Sequence, residues 1–255
     1  MNVLFTVCGR GGSKGVKNKN IRPFLGTPLF AYTFKAIRLY IQHYQSEEER
    51  YDVVLSTDSE DFIRMTQSEL GLIIRRRSAD LAQDTTPKMP VIFDALQYVT
   101  EQTGRDYAYV IDLDITSPIR TVQDIRNAFE KKLARPDVDV VFSVVHARRN
   151  PYFNMVQQEG AFYKKALDSE YTARQQAPTL YDMNASIYVY NSAFLASGVK
   201  SPLSGKADAV LMRDTGVIDI DSEEDFELME IVAEHLKKTN EGYGAIFSRR
   251  ATEME

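Results

Sequence analysis

The chain opens with "NVLFTVCGRGGSKGVKNKN", residues 2–20, in which an apolar run gives way to Gly9, Gly11, Gly12 and Gly15 set among Arg10, Lys14, Lys17 and Lys19. A short continuous apolar run bounded by glycine reads as a strand covered on both faces. The turn after it gives up packing while gathering positive charge, which is what an anion site needs. Bare glycine amides let phosphate oxygens approach closely, and basic side chains neutralise them. Neither well-known phosphate motif fits: a dinucleotide fingerprint or a Walker A loop counted from Gly9 requires glycine at position 14, where Lys14 stands.

The charge distribution narrows the ligand. Residues 1–46 contain no Asp or Glu and carry Arg10, Lys14, Lys17, Lys19, Arg22, Lys35 and Arg38; with the whole chain at −5, that segment is +7 and the other 209 residues sum to −12. A local cationic site on an acidic protein suits a small polyanion and argues against nucleic acid, whose long backbone would also meet the acidic remainder. No run approaches the eighteen apolar residues of a membrane span, and no basic-then-apolar leader precedes the first strand, so a cytoplasmic protein is expected. Cys8 is the one cysteine and reads as a packed thiol.

Working outward, β-rich runs alternate with helical patterns, the mark of a mostly parallel sheet covered by helices in a Rossmann-like three-layer α/β sandwich. Strands are predicted at Asn2–Cys8, Asp52–Thr57, Leu72–Arg75, Tyr107–Leu113, Val138–Val144, Ala185–Tyr190 and Gly216–Asp221, and helices beginning near Pro28, Ser59, Pro87, Thr121 and Ser222. Ile92, Ala95, Leu96 and Val99 share one helix face, as do Phe226, Met229, Ala233 and Leu236; both stripes read as core. The period fails across residues 146–182, which is too long for an ordinary connection and rich in Tyr and Phe. This stretch is read as a small protruding insertion, with a hairpin, that meets a partner subunit. The main domain is then 1–145 with 183–247, followed by a tail at 248–255.

The far end supplies acid. In "DIDSEEDF", residues 219–226, Asp219 and Asp221 alternate with isoleucines, so an extended backbone projects both carboxylates from one face. Two adjacent aspartates repel unless a cation lies between them, and Mg2+ prefers such oxygen ligands with substrate phosphates completing its shell. Asp112 and Asp114 form a second pair at the end of another predicted strand.

Five stretches in order, "RGGSKGVKNKN", "RRSADLAQDTT" (76–86), "TSPIRT" (116–121), "ARQQAP" (173–178) and "NASIYVY" (184–190) with the acidic motif behind it, resemble the CMP-sialic acid synthetase family. These are cytidylyltransferases that activate nine-carbon keto sugar acids, and the likeness is greatest to members handling bacterial legionaminic or related acids. The resemblance implies a glycosyltransferase-A-like nucleotidyltransferase that moves CMP from CTP to the anomeric hydroxyl of a nonulosonic sugar acid, releases pyrophosphate, uses Mg2+ and forms a homodimer. It implies that Arg10, Gly11, Gly12, Ser13, Lys14, Lys19, Asn20 and Arg77 hold the nucleotide, with Lys14, Arg10 and Asp221 carrying the catalytic work. Asp114, Thr116, Ser117, Arg174, Gln175, Gln176 and Asn184 would contact the sugar acid, and Asp219 and Asp221 the metal. Two departures bear on the sugar: Asp114 stands where these synthetases commonly carry glutamine, and Asp182 where they commonly carry arginine. A CMP-Kdo synthetase or other sugar nucleotidyltransferase is the nearest alternative, and a nucleotide-binding module without turnover the remoter one.

Overall fold

The computed structural model describes residues 1–12, 15–67, 69, 71–216 and 219–248. The opening run is β1 (Asn2–Cys8), whose five middle residues are all buried. After the glycine turn come a short antiparallel pair, β2 (Pro23–Phe24) and β3 (Thr27–Pro28), and then α1 (Leu29–Tyr44). The chain continues through β4 (Arg50–Thr57), α2 (Glu60–Met65), β5 (Leu72–Arg76), α3 (Lys88–Thr103), β6 (Tyr109–Leu113), α4 (Val122–Ala134) and β7 (Val140–His146). A hairpin of β8 (Val156–Glu159) and β9 (Phe162–Lys165) leads to β10 (Tyr181–Asn191), α5 (Ser192–Ala196), β11 (Ala207–Leu211), α6 (Glu223–Thr239) and α7 (Glu241–Phe247).

Among the described residues one sheet runs in the order β11-β7-β10-β6-β1-β4-β5, and only β10 is antiparallel to its neighbours. The two-residue period of β1 sorts its side chains between layers. Val3, Phe5 and Val7 pack with α1, α4, α6 and α7, whereas Leu4 packs on the other face with α3 and α5. This is the expected three-layer sandwich. Its helices start where local chemistry satisfies the first amides: Thr121 with Asp124 and Ser222 with Asp225 both form capping boxes. Gly104, at φ +65°, ends α3 in the left-handed conformation.

Six of the seven predicted strands are present, β1 with the expected ends and the other five with shifted ones. The seventh is a correction: Gly216 turns at φ +82°, Asp219–Asp221 run as irregular chain, and residues 217 and 218 lie outside the described set. The Ile220 amide donates to Thr116 O, distant in sequence, at 3.1 Å, and the Asp219 side chain accepts from the same amide at 2.8 Å. A local carboxylate thus competes with a ladder. The sheet edge is instead β11, too short and too mixed in pattern to stand out in the sequence. Across residues 146–182 the chain leaves the sheet and returns where His146 pairs with Tyr181, carrying the exposed β8–β9 hairpin between. The expected tail is described only at Ser248.

The chain's two ends are joined through Phe24, which is fully buried with ring contacts to Tyr32, Phe226 and Phe247 at 5.5–6.2 Å. Phe24→Ala removes the shared knob of that cluster, and the expected loss of unfolding free energy is about 3–5 kcal/mol, read by urea denaturation. A loss below about 1 kcal/mol, the scale of a surface substitution, would contradict this role for Phe24.

Candidate active site

Strands β1, β4, β5 and β6 run parallel and end on one edge, and the chain order reverses between β1 and β6. A ligand crevice opens at such a switch point, outside the carboxyl ends of the strands. The glycine turn drops into it. At Gly9 a Cβ would stand 2.6 Å from the Phe62 ring and 2.8 Å from Ile115, while at Gly12 it would meet nothing within 4 Å, leaving that part of the turn open. The Gly11 amide donates to Asp58 Oδ1 at 2.8 Å, and Asn20 Nδ2 to Arg10 O at 3.0 Å.

Gly15 fixes where the turn goes. A Cβ there would lie 1.8 Å from the Asp221 carbonyl oxygen, so only glycine permits the approach. Lys19 donates to the Ile220 carbonyl and lies 3.5 Å from Asp221 Oδ1. The cationic turn and the acidic motif, some two hundred residues apart in the chain, are therefore one site. Ile220 is buried, Asp219 half-buried and Asp221 exposed.

The crevice floor holds a tight charge cluster. Asp112 is fully buried and accepts from the Thr6 hydroxyl at 2.8 Å. Lys88 Nζ lies 2.7 Å from Asp112 Oδ2 and 2.6 Å from Asp114 Oδ2. The Thr116 amide and hydroxyl donate to Asp114 Oδ1 at 3.0 and 2.9 Å. Burial works against ionising Asp114, but Lys88 and these hydrogen bonds outweigh it and hold its pKa down at about 2. Burial also opposes the charge on Lys88, and the two aspartates still hold its pKa well above the usual value. Asp219 goes the other way: burial and the neighbouring Asp114 charge push it up to about 6, with Thr116 and Lys19 offsetting only part. Burial, then Asp112, raises the Cys8 thiol to about 12, which leaves no thiolate at neutral pH and supports its reading as a packed residue.

Beside the floor is a cleft of about 210 Å³ lined by Arg10, Arg77, Gln83, Asp84, Lys88 and Asp114 among others. The run Arg75–Arg77 is not a solvated basic patch. Arg75 makes a two-pronged pair with Asp94 at 2.8 and 2.9 Å, Arg76 pairs with Glu60, and Arg77 folds over the end of β4 to donate to Ser56 O at 2.8 Å. Arg10 pairs with Asp84 across the cleft.

The structure thus brings Arg10, Gly11, Gly12, Lys19, Asn20, Arg77, Asp114, Thr116, Asp219 and Asp221 to one crevice; Ser13 and Lys14 lie outside the described residues. Ser117 and Asn184 are buried behind it. Ser117 Oγ donates to Asn184 O at 2.9 Å, and Asn184 Oδ1 accepts from Ser143 Oγ at 2.5 Å, so both build the wall. Next to them β10 bulges, with Ala185 at φ +55°. Arg174 and Gln175 line a separate cleft of about 430 Å³ with His146, Arg148 and Asp214 at the root of the insertion. The Gln176 side chain accepts from the amides of Thr172 and Ala173, at 3.0 and 3.1 Å, and caps its own turn. Sequence reasoning missed Lys88, hidden as an ordinary polar residue at a helix start, and Arg120. The latter is buried, donates to Ser186 Oγ at 2.9 Å and Ser117 O at 2.5 Å, and binds the Asp114 carbonyl.

A glycine-rich cationic turn facing clustered carboxylates at the switch point of a mostly parallel sheet defines an α/β protein built to hold a phosphate-bearing ligand. Residues 4–239 match the Cytidylyltransferase family, and the chain belongs to it. It is 37% identical over 230 residues to the CMP-N,N'-diacetyllegionaminic acid synthase of Campylobacter jejuni, covering 90% of this chain and 94% of that one. It is equally similar, by the same measures, to the post-translational flagellin modification protein B of Campylobacter coli. Its fold matches a CMP:2-keto-3-deoxy-manno-octonic acid synthetase solved with CTP at a TM-score of 0.62 and 14% identity, over 92% of this chain and 99% of that one.

The raised Asp219 pKa has a measurable consequence. Because the folded value, about 6, lies above the ordinary 3.8, the metal-free native state binds this proton more readily than the unfolded chain. Stability therefore rises as pH falls through 6, and the gain is complete near 4. Asp219→Asn removes the penalty at neutral pH: in EDTA at pH 7 the variant is expected to be about 1–3 kcal/mol more stable than the wild type, the gap closing by pH 4. Equal denaturation midpoints at both pH values would show that Asp219 is not under this strain.

Proposed function

We propose that this protein transfers CMP from CTP to the anomeric hydroxyl of a nine-carbon 2-keto sugar acid, with a diacetylated legionaminic-type acid as the leading substrate. The hydroxyl oxygen bonds to the α-phosphorus, the bond to the β,γ-phosphates breaks, pyrophosphate leaves, and the hydroxyl proton passes to solvent. The observation that carries this reading is the seating of Gly15 and Lys19 against Ile220 and Asp221. It sets phosphate-binding amides beside paired carboxylates in a chain of the Cytidylyltransferase family. The 37% identity to a legionaminic acid synthase and the acidic Asp114 in place of glutamine support the choice of sugar.

The chemistry asks little of protein acids and bases. Nucleotidyl transfer is mostly positioning and charge neutralisation. Arg10, Gly11, Gly12, Ser13, Lys14 and Asn20 hold the triphosphate, with Lys14 and Arg10 drawing charge onto the leaving pyrophosphate, and Arg77 meets the cytidine. Thr116 and Asp114 face the sugar acid.

Mg2+ fits the donor set. Asp219 is held near an unfavourable like charge that a cation would relieve, and Asp221 follows two residues on. Among the described residues no cluster of three or more acidic, His or Cys ligands exists. The protein therefore offers two carboxylates and leaves the rest of an oxygen shell to phosphates and water. Bound there, Mg2+ would neutralise phosphate charge and acidify the attacking hydroxyl.

We further infer a homodimer built on the insertion, because the β8–β9 hairpin leaves Phe162 (80%), Tyr163 (68%) and Val156 (61%) exposed. Among the described residues no helix is long and apolar enough to cross a membrane. Dependence on CTP, a cytoplasmic metabolite, supports that compartment.

Two experiments test these readings. Purified protein mixed with CTP, MgCl2 and sialic, legionaminic, pseudaminic or Kdo acid is expected to release pyrophosphate. The diacetylated legionaminic acid should lead Kdo by at least about tenfold in kcat/KM, or about 1.4 kcal/mol, and EDTA should stop the reaction; no release with any acid refutes the proposal. Light scattering at micromolar concentration is expected to give twice the chain mass, falling to one chain for Phe162→Glu with Tyr163→Glu. A monomeric wild type removes the dimer.

A further inference from the structure

The contacts made by Lys88 go beyond holding a helix start in place. Its ammonium sits between two carboxylates that are spaced two apart at the end of β6, 2.7 Å from Asp112 and 2.6 Å from Asp114. The remaining oxygens are engaged as well: Asp112 Oδ1 accepts from Thr6, and Asp114 Oδ1 from the amide and hydroxyl of Thr116. A pair of aspartates in a crevice beside a nucleotide would ordinarily be open to a divalent ion. Here that ion would have to expel Lys88.

Resting on the function proposed above, we propose that Lys88 is a positioning residue that stands in for a second divalent cation, so that the centre operates with one metal ion, held on the Asp219–Asp221 side. An ammonium is a compact point charge with three donors; here it donates to Asp114 Oδ2 at 2.6 Å and pairs in charge with Asp112 Oδ2 at 2.7 Å. It also lines the cleft together with Arg10 and Arg77. The lysine is the first residue of α3, directly after Pro87, so its stem leaves a rigid element, and Tyr188 flanks the ammonium with its ring centre 6.0 Å away. A fixed lysine differs from an exchangeable metal in one functional respect. It keeps Asp114 turned toward Thr116 whether or not nucleotide is bound, and so keeps the sugar side of the crevice in shape before CTP arrives.

The test uses the full chain and Mn2+ as the probe, counted by the loss of the free-ion paramagnetic resonance signal with neither nucleotide nor sugar present. Lys88→Ala is expected to bind one more Mn2+ per chain than the wild type, Lys88→Arg no more than the wild type, and Lys88→Ala with Asp114→Asn to lose the added ion. In turnover assays Lys88→Ala should lower kcat at least about tenfold, or about 1.4 kcal/mol, with a steeper dependence on metal concentration and little change in the KM for CTP, and Lys88→Arg should recover part of the loss. Should Lys88→Ala fail to fold, Lys88→Met, which keeps the bulk of the stem, is counted in its place. Equal Mn2+ counts in the wild type and in the folded variant overturn the proposal, as does an unchanged kcat. Ion counting needs no substrate, so its outcome for Lys88 stands apart from the pyrophosphate assay, whose failure would instead reject the cytidylyltransfer reading.

Discussion

The architecture of the site depends on one contact, the seating of the Gly15 backbone against the carbonyl of Asp221. The glycine turn belongs to the first βα connection and the acidic motif to the approach to α6, and no sheet ladder joins them among the described residues. What joins them is the absence of a side chain at Gly15, the Lys19 ammonium on the Ile220 carbonyl, and the Arg22–Glu223 pair with the Arg22 guanidinium 4.2 Å over Phe226. Behind these lies the Phe24 cluster, which supplies apolar burial to anchor them. The polar contacts alone are partly exposed and would be worth little. Aimed by a packed core, they set the distance between the phosphate-binding amides and the carboxylates.

Electrostatics in the crevice are arranged by opposition. Asp112, Asp114, Asp219 and Asp221 converge on one edge of the sheet, and their mutual repulsion is answered by Lys88, Lys19 and, through the backbone of the 114–117 turn, the buried Arg120. The answer is uneven. Asp114 is fully compensated and Asp219 is not, so one carboxylate ionises readily and its neighbour resists. Leaving a carboxylate short of positive charge costs folded-state stability, and sites that bind cations commonly accept that cost.

Much of this was legible in the sequence, for physical reasons that differ by element. β1 could be read because a strand buried on both faces has no charged residues to blur it, and α3 and α6 because their apolar stripes keep the helical period. The glycine turn could be read because charge and flexibility coincide there. The failures also have causes. Gly216–Asp221 alternates like a strand, yet the Asp219 carboxylate shares the Ile220 amide with Thr116 O, and the described residues there run as irregular chain. Ser117 and Asn184 carry polar groups that would suit a sugar, but Ser117 turns its hydroxyl to the Asn184 backbone carbonyl and Asn184 its amide to Ser143 and Met212, which burial alone decides. Arg174 and Gln175 accompany the glycine turn in the family pattern, yet the fold sets them in another cleft at the root of the insertion.

Lys88 shows most clearly what a linear reading leaves out. Asp114 read alone is a carboxylate where the family commonly carries an amide. An amide needs no counter-ion, whereas a carboxylate placed 2.6 Å from a lysine and beside the buried Asp112 does. The two side chains therefore form one unit although they sit 26 residues apart. Seen as a unit, the Asp114 carboxylate takes the amide and hydroxyl of Thr116 on one oxygen and holds a fixed cation in the cleft on the other.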